Sequence, residues 1–215
     1  NFSNGDTLAT NGPVKILDGI VEGTAGDDLI DSVYDDDPEG DMVDAQDNID
    51  QTAVGLERDV DTIRAGAGDD TINAGVADDL ISGGTGNDTF IELAGDGADT
   101  ITDFGADDTG PIDDDDQTNN DFVDLSAFYN DTTLDAVNNA DGDPTNDFGN
   151  ALGMLRADAE DGVIDGVING TDFSDQIGDV ILTLQDGAGG SVTGMDLTFD
   201  NTNVACFVRG TQIAT

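Results

Sequence analysis

Asp28, Asp70, Asp79 and Asp88 each hold the sixth position of a nine-residue block. Three of the blocks run without a gap over residues 65–91 as AGAGDDTIN, AGVADDLIS and GGTGNDTFI; an isolated copy, GTAGDDLID, covers residues 23–31. The eighth position of each is a large apolar residue: Ile30, Ile72, Ile81 and Phe90. Half-blocks flank the array, Asp61-Thr62-Ile63 before it and Asp99-Thr100-Ile101 after it. Short carboxylates beside glycine turns offer the hard oxygen ligands that divalent cations such as Ca2+ require. The elements that position them follow from the same pattern. A strand alternates its faces, so the residue at position eight points inward while its neighbours point out. The glycines permit a tight turn whose carbonyls are free to face an ion.

The whole composition is consistent with cation chemistry and excludes several other kinds. The 215 residues carry 44 Asp and five Glu against five Lys+Arg, a formal net charge of -44, with no His, no Trp and one Cys. Such a polyanion does not bind nucleic acid through phosphates, nor an anionic membrane by electrostatics. Without His, neither a histidine metal site nor a Ser-His or Cys-His nucleophile can be built from these residues. No apolar run approaches the roughly 18 residues of a membrane span, and a lone Cys excludes a disulfide framework. Few aromatics and unbalanced charge also fit a disordered chain, or a Gly-Asp low-complexity linker. A chain selected for charge alone would use Glu as freely as Asp. A linker has no need of Ile or Phe at every eighth position.

These blocks resemble the RTX calcium-binding nonapeptide, G-G-x-G-x-D-x-U-x, whose fold is a parallel β-roll. The resemblance implies a mainly β, calcium-stacked solenoid in which two repeats make one coil, so that residues 18 apart stack. One side then carries Asp28, Asp70 and Asp88; the opposite side carries Asp61, Asp79 and Asp99, with a two-residue bulge near Gly95 to Gly97. By the same resemblance each Ca2+ lies between stacked turns. It is held by two such aspartates and by carbonyls of residues such as Gly26, Gly66, Gly68, Gly75, Gly84 and Gly86, and Asp103 joins the ligand set. Ala77 stands where a block glycine is expected, so its turn is expected to be distorted.

The roll is expected over residues 14–126. An acidic insertion at 32–56 reads either as a loop with its own cation site or, the favoured reading, as a solvated excursion. Phe104, Phe122 and Leu125 suit the atypical unit that must cover the last coil, and residues 110–120 read as an exposed loop. A small α+β unit follows over 127–205. It has helices expected at 131–140 and 146–159, the second capped by Thr145 or Asn146, and strands at 163–168, 180–185 and 191–199, the last two joined as a hairpin. The oxygen-rich run 140–147 lacks the glycine and glutamate of an EF-hand and reads as an incidental acidic loop. The final residues, 206–215, resemble the opening of a Hint (hedgehog/intein) domain. That resemblance implies a Cys206 nucleophile attacking the Ala205–Cys206 bond, in a site incomplete without residues beyond this chain.

The expected function is therefore non-enzymatic. It is that of a secreted, cell-surface or matrix protein of bacterial type that folds on binding several Ca2+ ions. Self-assembly into a homo-oligomer or polymer is expected, as is synthesis as a precursor for Hint autoprocessing. The alternative is a non-catalytic calcium-binding accessory module of a larger secreted enzyme or adhesin. Neither nucleic acid nor direct membrane insertion enters either reading.

Overall fold

The structure is a computed structural model. It describes residues 16–46, 59–104 and 121–178 apart from 141, 143, 146, 162 and 163, together with the backbones of 195–199 and 206–210. The described residues are mainly β, with parallel strands in two sheets and a few short helices, an arrangement consistent with a β-roll. The first sheet orders β1 (Val21–Glu22), β3 (Thr62–Ala67), β5 (Leu80–Thr85) and β7 (Thr100–Ile101) side by side. The second orders β2 (Leu29–Ile30), β4 (Thr71–Ile72), β6 (Thr89–Ile91) and β8 (Phe122–Asp124).

Chain order alternates between the sheets through β8, and within the array that alternation turns the nine-residue sequence period into an eighteen-residue spatial one. Ile63 pairs with Ile81, and Thr71 with Thr89. The other pairings depart from that interval. Leu29 pairs with Thr71 and Thr89 with Phe122, each across a longer intervening segment. Val21 pairs with Ile63 across the insertion, and Leu80 pairs with Thr100, the two extra residues being taken up in the turn after β6. The apolar residues at position eight all face inward: Ile30, Ile72, Ile81 and Phe90 are 0%, 1%, 2% and 1% exposed. Val21, Ile63, Tyr34, Val43, Ala65 and Ala74 complete that core.

Tyr34 and Val43 lie within the insertion, so its described part is not a solvated excursion. Their burial, at 6% and 2% exposed, folds residues 32–46 back onto the roll. Residues 47–56 lie outside the described residues, as does the loop expected at 110–120.

A second core collects Val123, Leu125, Phe128 and Tyr129 with residues of the helices. Ile101 and Phe104 pack against both cores, so Phe104 does cover the last coil. Val123 takes the inward place beside it, while Phe122 is only half-buried, because strand alternation gives the buried face to one of the two neighbours.

The helix α1 (Asp131–Ala140) buries Leu134 and Val137, and Asn130 caps it by accepting the Thr132 and Thr133 amides. The second helix, α2 (Ala151–Asp158), starts later than the sequence pattern indicates. Asn150 caps it through the Gly153 amide. Asn138 holds Phe148 outside the helix by bonding both its amide and its carbonyl. Asn146 and the run 140–147 fall partly outside the described residues.

The strand expected at 163–168 shortens to β9 (Val167–Ile168), which turns at Asn169-Gly170 into antiparallel β10 (Thr171–Asp172). Asn169 and Gly170 have φ of 53° and 80°, the positive pair a tight hairpin turn demands. A third helix, α3 (Ser174–Ile177), follows. Of the later strands, 180–185 and the connection at 186–190 lie outside the described residues. β11 (Met195–Phe199) pairs antiparallel with β12 (Cys206–Gly210).

Candidate calcium centre

The turns between the sheets stack the aspartates into two rows, each tied by amides. In the first row, Asp28 donates its backbone amide to Asp70 Oδ1 at 2.8 Å, Asp70 to Asp88 Oδ1 at 3.0 Å, and Asp88 to Asp121 Oδ1 at 3.1 Å. In the second, Asp44 donates to Asp61 Oδ2 at 2.8 Å, Asp61 to Asp79 Oδ1 at 2.7 Å, and Asp79 to Asp99 Oδ1 at 2.8 Å. The trios expected on the two sides are thus brought together, Asp28, Asp70 and Asp88 in one row and Asp61, Asp79 and Asp99 in the other.

Each row gains a member that the nine-residue pattern does not supply. Asp121 has a legible signal, since Asp121-Phe122-Val123 repeats the spacing of aspartate and buried residue found in the blocks. Asp44 has none; it reaches the row through the folding of the insertion.

The carbonyls come close because glycine lets them. A Cβ at Gly84 would lie 2.0 Å from the Gly66 carbonyl oxygen, and one at Gly86 would lie 2.0 Å from that of Gly68. Both residues also have positive φ, 102° and 133°. Gly26 stacks beneath Gly68 in the same column, and Gly75 lies against the Asp44 carboxylate. Ala77 keeps the glycine conformation of its turn, with φ of 100°, rather than rerouting the chain. The expected distortion therefore takes the form of strain at one residue.

The residues present fit a hard dication. Asp70, Asp79 and Asp88 are 1%, 2% and 0% exposed, and the Oδ2 atom of each is buried without a hydrogen-bond partner. Leaving an ionised oxygen so placed is costly unless a cation meets it. Their titration registers that cost. Burial, then the neighbouring Asp99, Asp61 and Asp44 carboxylates, pushes Asp79 up to about 8 against the pull of the Asp61 amide. Burial with Asp88 and Asp28 nearby pushes Asp70 up to about 6. Burial likewise raises Asp88, with Asp103 and Asp69 adding to it, and Asp99, with Asp96 and Asp78 adding to it.

Asp103 occupies a different position. Its carboxylate accepts Ser82 Oγ at 2.6 Å and the Gly83 and Gly84 amides at 3.0 Å each, all from within β5. Asp37 does a similar thing at the other end of the roll, accepting the amides of Glu22, Glu39, Gly40 and Asp41. Against the cost of burial, these bonds hold its carboxyl below the ordinary range. Glu22, Asp37 and Glu39 bring carboxylate oxygens within 4.8 Å of one another. Burial and the contact with Asp37 push Glu22 up to about 7.

Cys206 opens β12, its backbone paired with Phe199. Among the described residues, no helix is long and apolar enough to cross a membrane. No curated protein and no solved structure matches the chain. Residues 58–90 match the family model of the RTX calcium-binding nonapeptide repeat (4 copies), a repeat that binds Ca2+.

Proposed function

We propose that this chain is a secreted calcium-binding protein of structural rather than catalytic role, which acquires its fold as Ca2+ binds. The partnerless buried Oδ2 atoms of Asp70, Asp79 and Asp88 carry the reading. Together with Asp28, Asp61 and Asp99 and the stacked turn carbonyls, these aspartates would hold the ions. Without them, a net charge of -44 repels itself and the rows set carboxylate against carboxylate. Each bound Ca2+ offsets two charges, which couples binding to folding. Circular dichroism on the full chain tests this. The β signal should collapse in EGTA and return with calcium, and a β signal indifferent to chelation would sink the proposal.

Export before folding accords with the same coupling, since calcium is scarce in cytosol and plentiful outside cells. Parallel stacking of coils would also let copies add to one another along a sheet edge in calcium. Light scattering would show particles growing with calcium if copies assemble, and constant size if they do not. The run from Cys206 to Thr215 supports release from a precursor at Ala205–Cys206. Mass spectrometry of the natural C-terminus would find Ala205 last, and a native chain continuing past Cys206 would argue against cleavage.

A further inference from the structure

We propose that the insertion completes a further cation site, in which the carboxylates of its Asp44 and of Asp59, just beyond it, hold a Ca2+ beside Asp61. The inference rests on the calcium reading above but uses acids that do not stand at the sixth position of any complete nine-residue block.

Sheet register shows what is missing without the insertion. Val21 pairs with Ile63, so the residue standing under Asp61 by register would be Gly19, which has no carboxylate. Asp44 takes that rung, its amide bonded to Asp61 Oδ2 at 2.8 Å. Its carboxylate reaches into the next turn, accepting the Val76 amide at 3.0 and 3.2 Å. It lies so close to Gly75 that a Cβ there would come within 2.0 Å of Oδ2. Val43, 2% exposed, anchors the segment in the core beside it.

Asp59 is the independent observation. It stands two residues before Asp61, where the complete blocks carry Gly26, Gly68, Ala77 or Gly86. A turn position that elsewhere carries no functional side chain here carries an acid. Asp59 is 6% exposed, and its Oδ1 is buried without a partner. Capping of the Val76 amide accounts for Asp44 alone; it does not account for a second buried acid. Asp59 and Asp44 both adjoin Asp61, the first two residues before it in the chain and the second bonded to its carboxylate. Asp79, whose own Oδ2 is partnerless, lies one rung along. Hard oxygen donors of this kind, charged and dehydrated, suit Ca2+.

Equilibrium dialysis with labelled calcium would count the ions held by the full chain and by Asp59→Asn, Asp44→Asn and Asp88→Asn. Both Asp59→Asn and Asp44→Asn should bind about one ion fewer than wild type while keeping the β signal in saturating calcium. Asp88→Asn, in the other row, should show its own deficit, additive with that of Asp59→Asn in the double variant. Wild-type counts in both Asp59→Asn and Asp44→Asn, with calcium still bound by the wild type, would overturn the site and leave the broader reading standing. A wild type that binds no calcium would overturn both. If Asp44→Asn loses its fold, Asp59→Asn decides alone, because it removes charge at nearly constant size.

Discussion

The Asp61 amide donates to one oxygen of Asp79 at 2.7 Å, and the other oxygen of that same carboxylate is buried with nothing to accept. One side chain thus fixes the spacing of two coils and presents a charge that the protein alone does not neutralise. The same division of labour recurs at Asp70 and Asp88 in the opposite row. Order along the rows and demand for a cation are properties of the same atoms.

Acid should therefore stabilise the calcium-free protein. Burial and neighbouring carboxylates raise Asp79 from 3.8 to about 8 and Asp70 from 3.8 to about 6. The folded form then holds protons that the unfolded chain releases. That stabilisation is fully present below the unfolded value and is lost as pH rises through the folded values. Calcium-free protein should regain β signal at pH 5 that it lacks at pH 8.5, measured by circular dichroism after exhaustive dialysis. Calcium should reverse the order, displacing protons as it binds, so its affinity should climb over the same interval. A calcium-free β signal that grows as pH rises would contradict this account of the rows.

Asp88 and Asp103 should separate ligand from staple. Asp88 has a buried oxygen without a partner, whereas the Asp103 carboxylate accepts three donors from β5. Asp88→Asn should lower the number of ions bound. Asp103→Ala should leave that number unchanged and cost about 1–3 kcal/mol, as donors in β5 lose their acceptor. Ion counting and urea unfolding in saturating calcium, run on both variants, would show the two effects exchanged if the assignment is wrong.

What the sequence revealed depends on how each residue reaches its place. Ile72, Phe90, Asp70 and Asp88 were legible because local period and spatial period coincide once strands alternate between two sheets. Asp121 was half legible, as its spacing to Val123 repeats the pattern although the interval to Asp88 does not. Asp44 was illegible. It lies 17 residues before Asp61 in a segment without repeat, and only burial of Tyr34 and Val43 brings it under the row. In the C-terminal unit, side-chain bonds moved the boundaries: Asn150 and Asn138 start α2 after Phe148, and Asn169-Gly170 makes a hairpin that apolar periodicity does not reveal.

Ala77 and Gly84 should respond oppositely to exchange of glycine and alanine. Ala77 has φ of 100°, a conformation L residues rarely adopt, so Ala77→Gly relieves strain. A gain of about 1 kcal/mol is expected, smaller than the strain itself because glycine also loosens the unfolded chain. At Gly84, a Cβ would meet the Gly66 carbonyl oxygen at 2.0 Å, backbone that cannot yield without opening the stack. Gly84→Ala should cost roughly 3 kcal/mol or more and weaken calcium binding with it. Denaturant unfolding of both variants in calcium reads the signs, and a destabilised Ala77→Gly would mean the turn's strain lies elsewhere.

Tyr129 offers a probe of the second core that leaves the rows untouched. Its hydroxyl donates to Asp158, which is 1% exposed and also accepts the Gly166 amide at 3.0 Å. Burial raises the Asp158 carboxyl despite these donors, so removing the hydroxyl leaves a buried acid with less to hold its charge. Tyr129→Phe should cost about 1–3 kcal/mol. The loss should be larger at pH 7 than at pH 4, because protonation relieves the acid that the variant strands. Calcium stoichiometry should stay at the wild-type value, since Tyr129 belongs to the second core and Asp158 to α2 rather than to the rows. Unfolding curves at the two pH values measure the first effect and dialysis the second. A penalty independent of pH would show that Tyr129 acts through packing alone, with its hydroxyl adding nothing to the stability of the ionised Asp158.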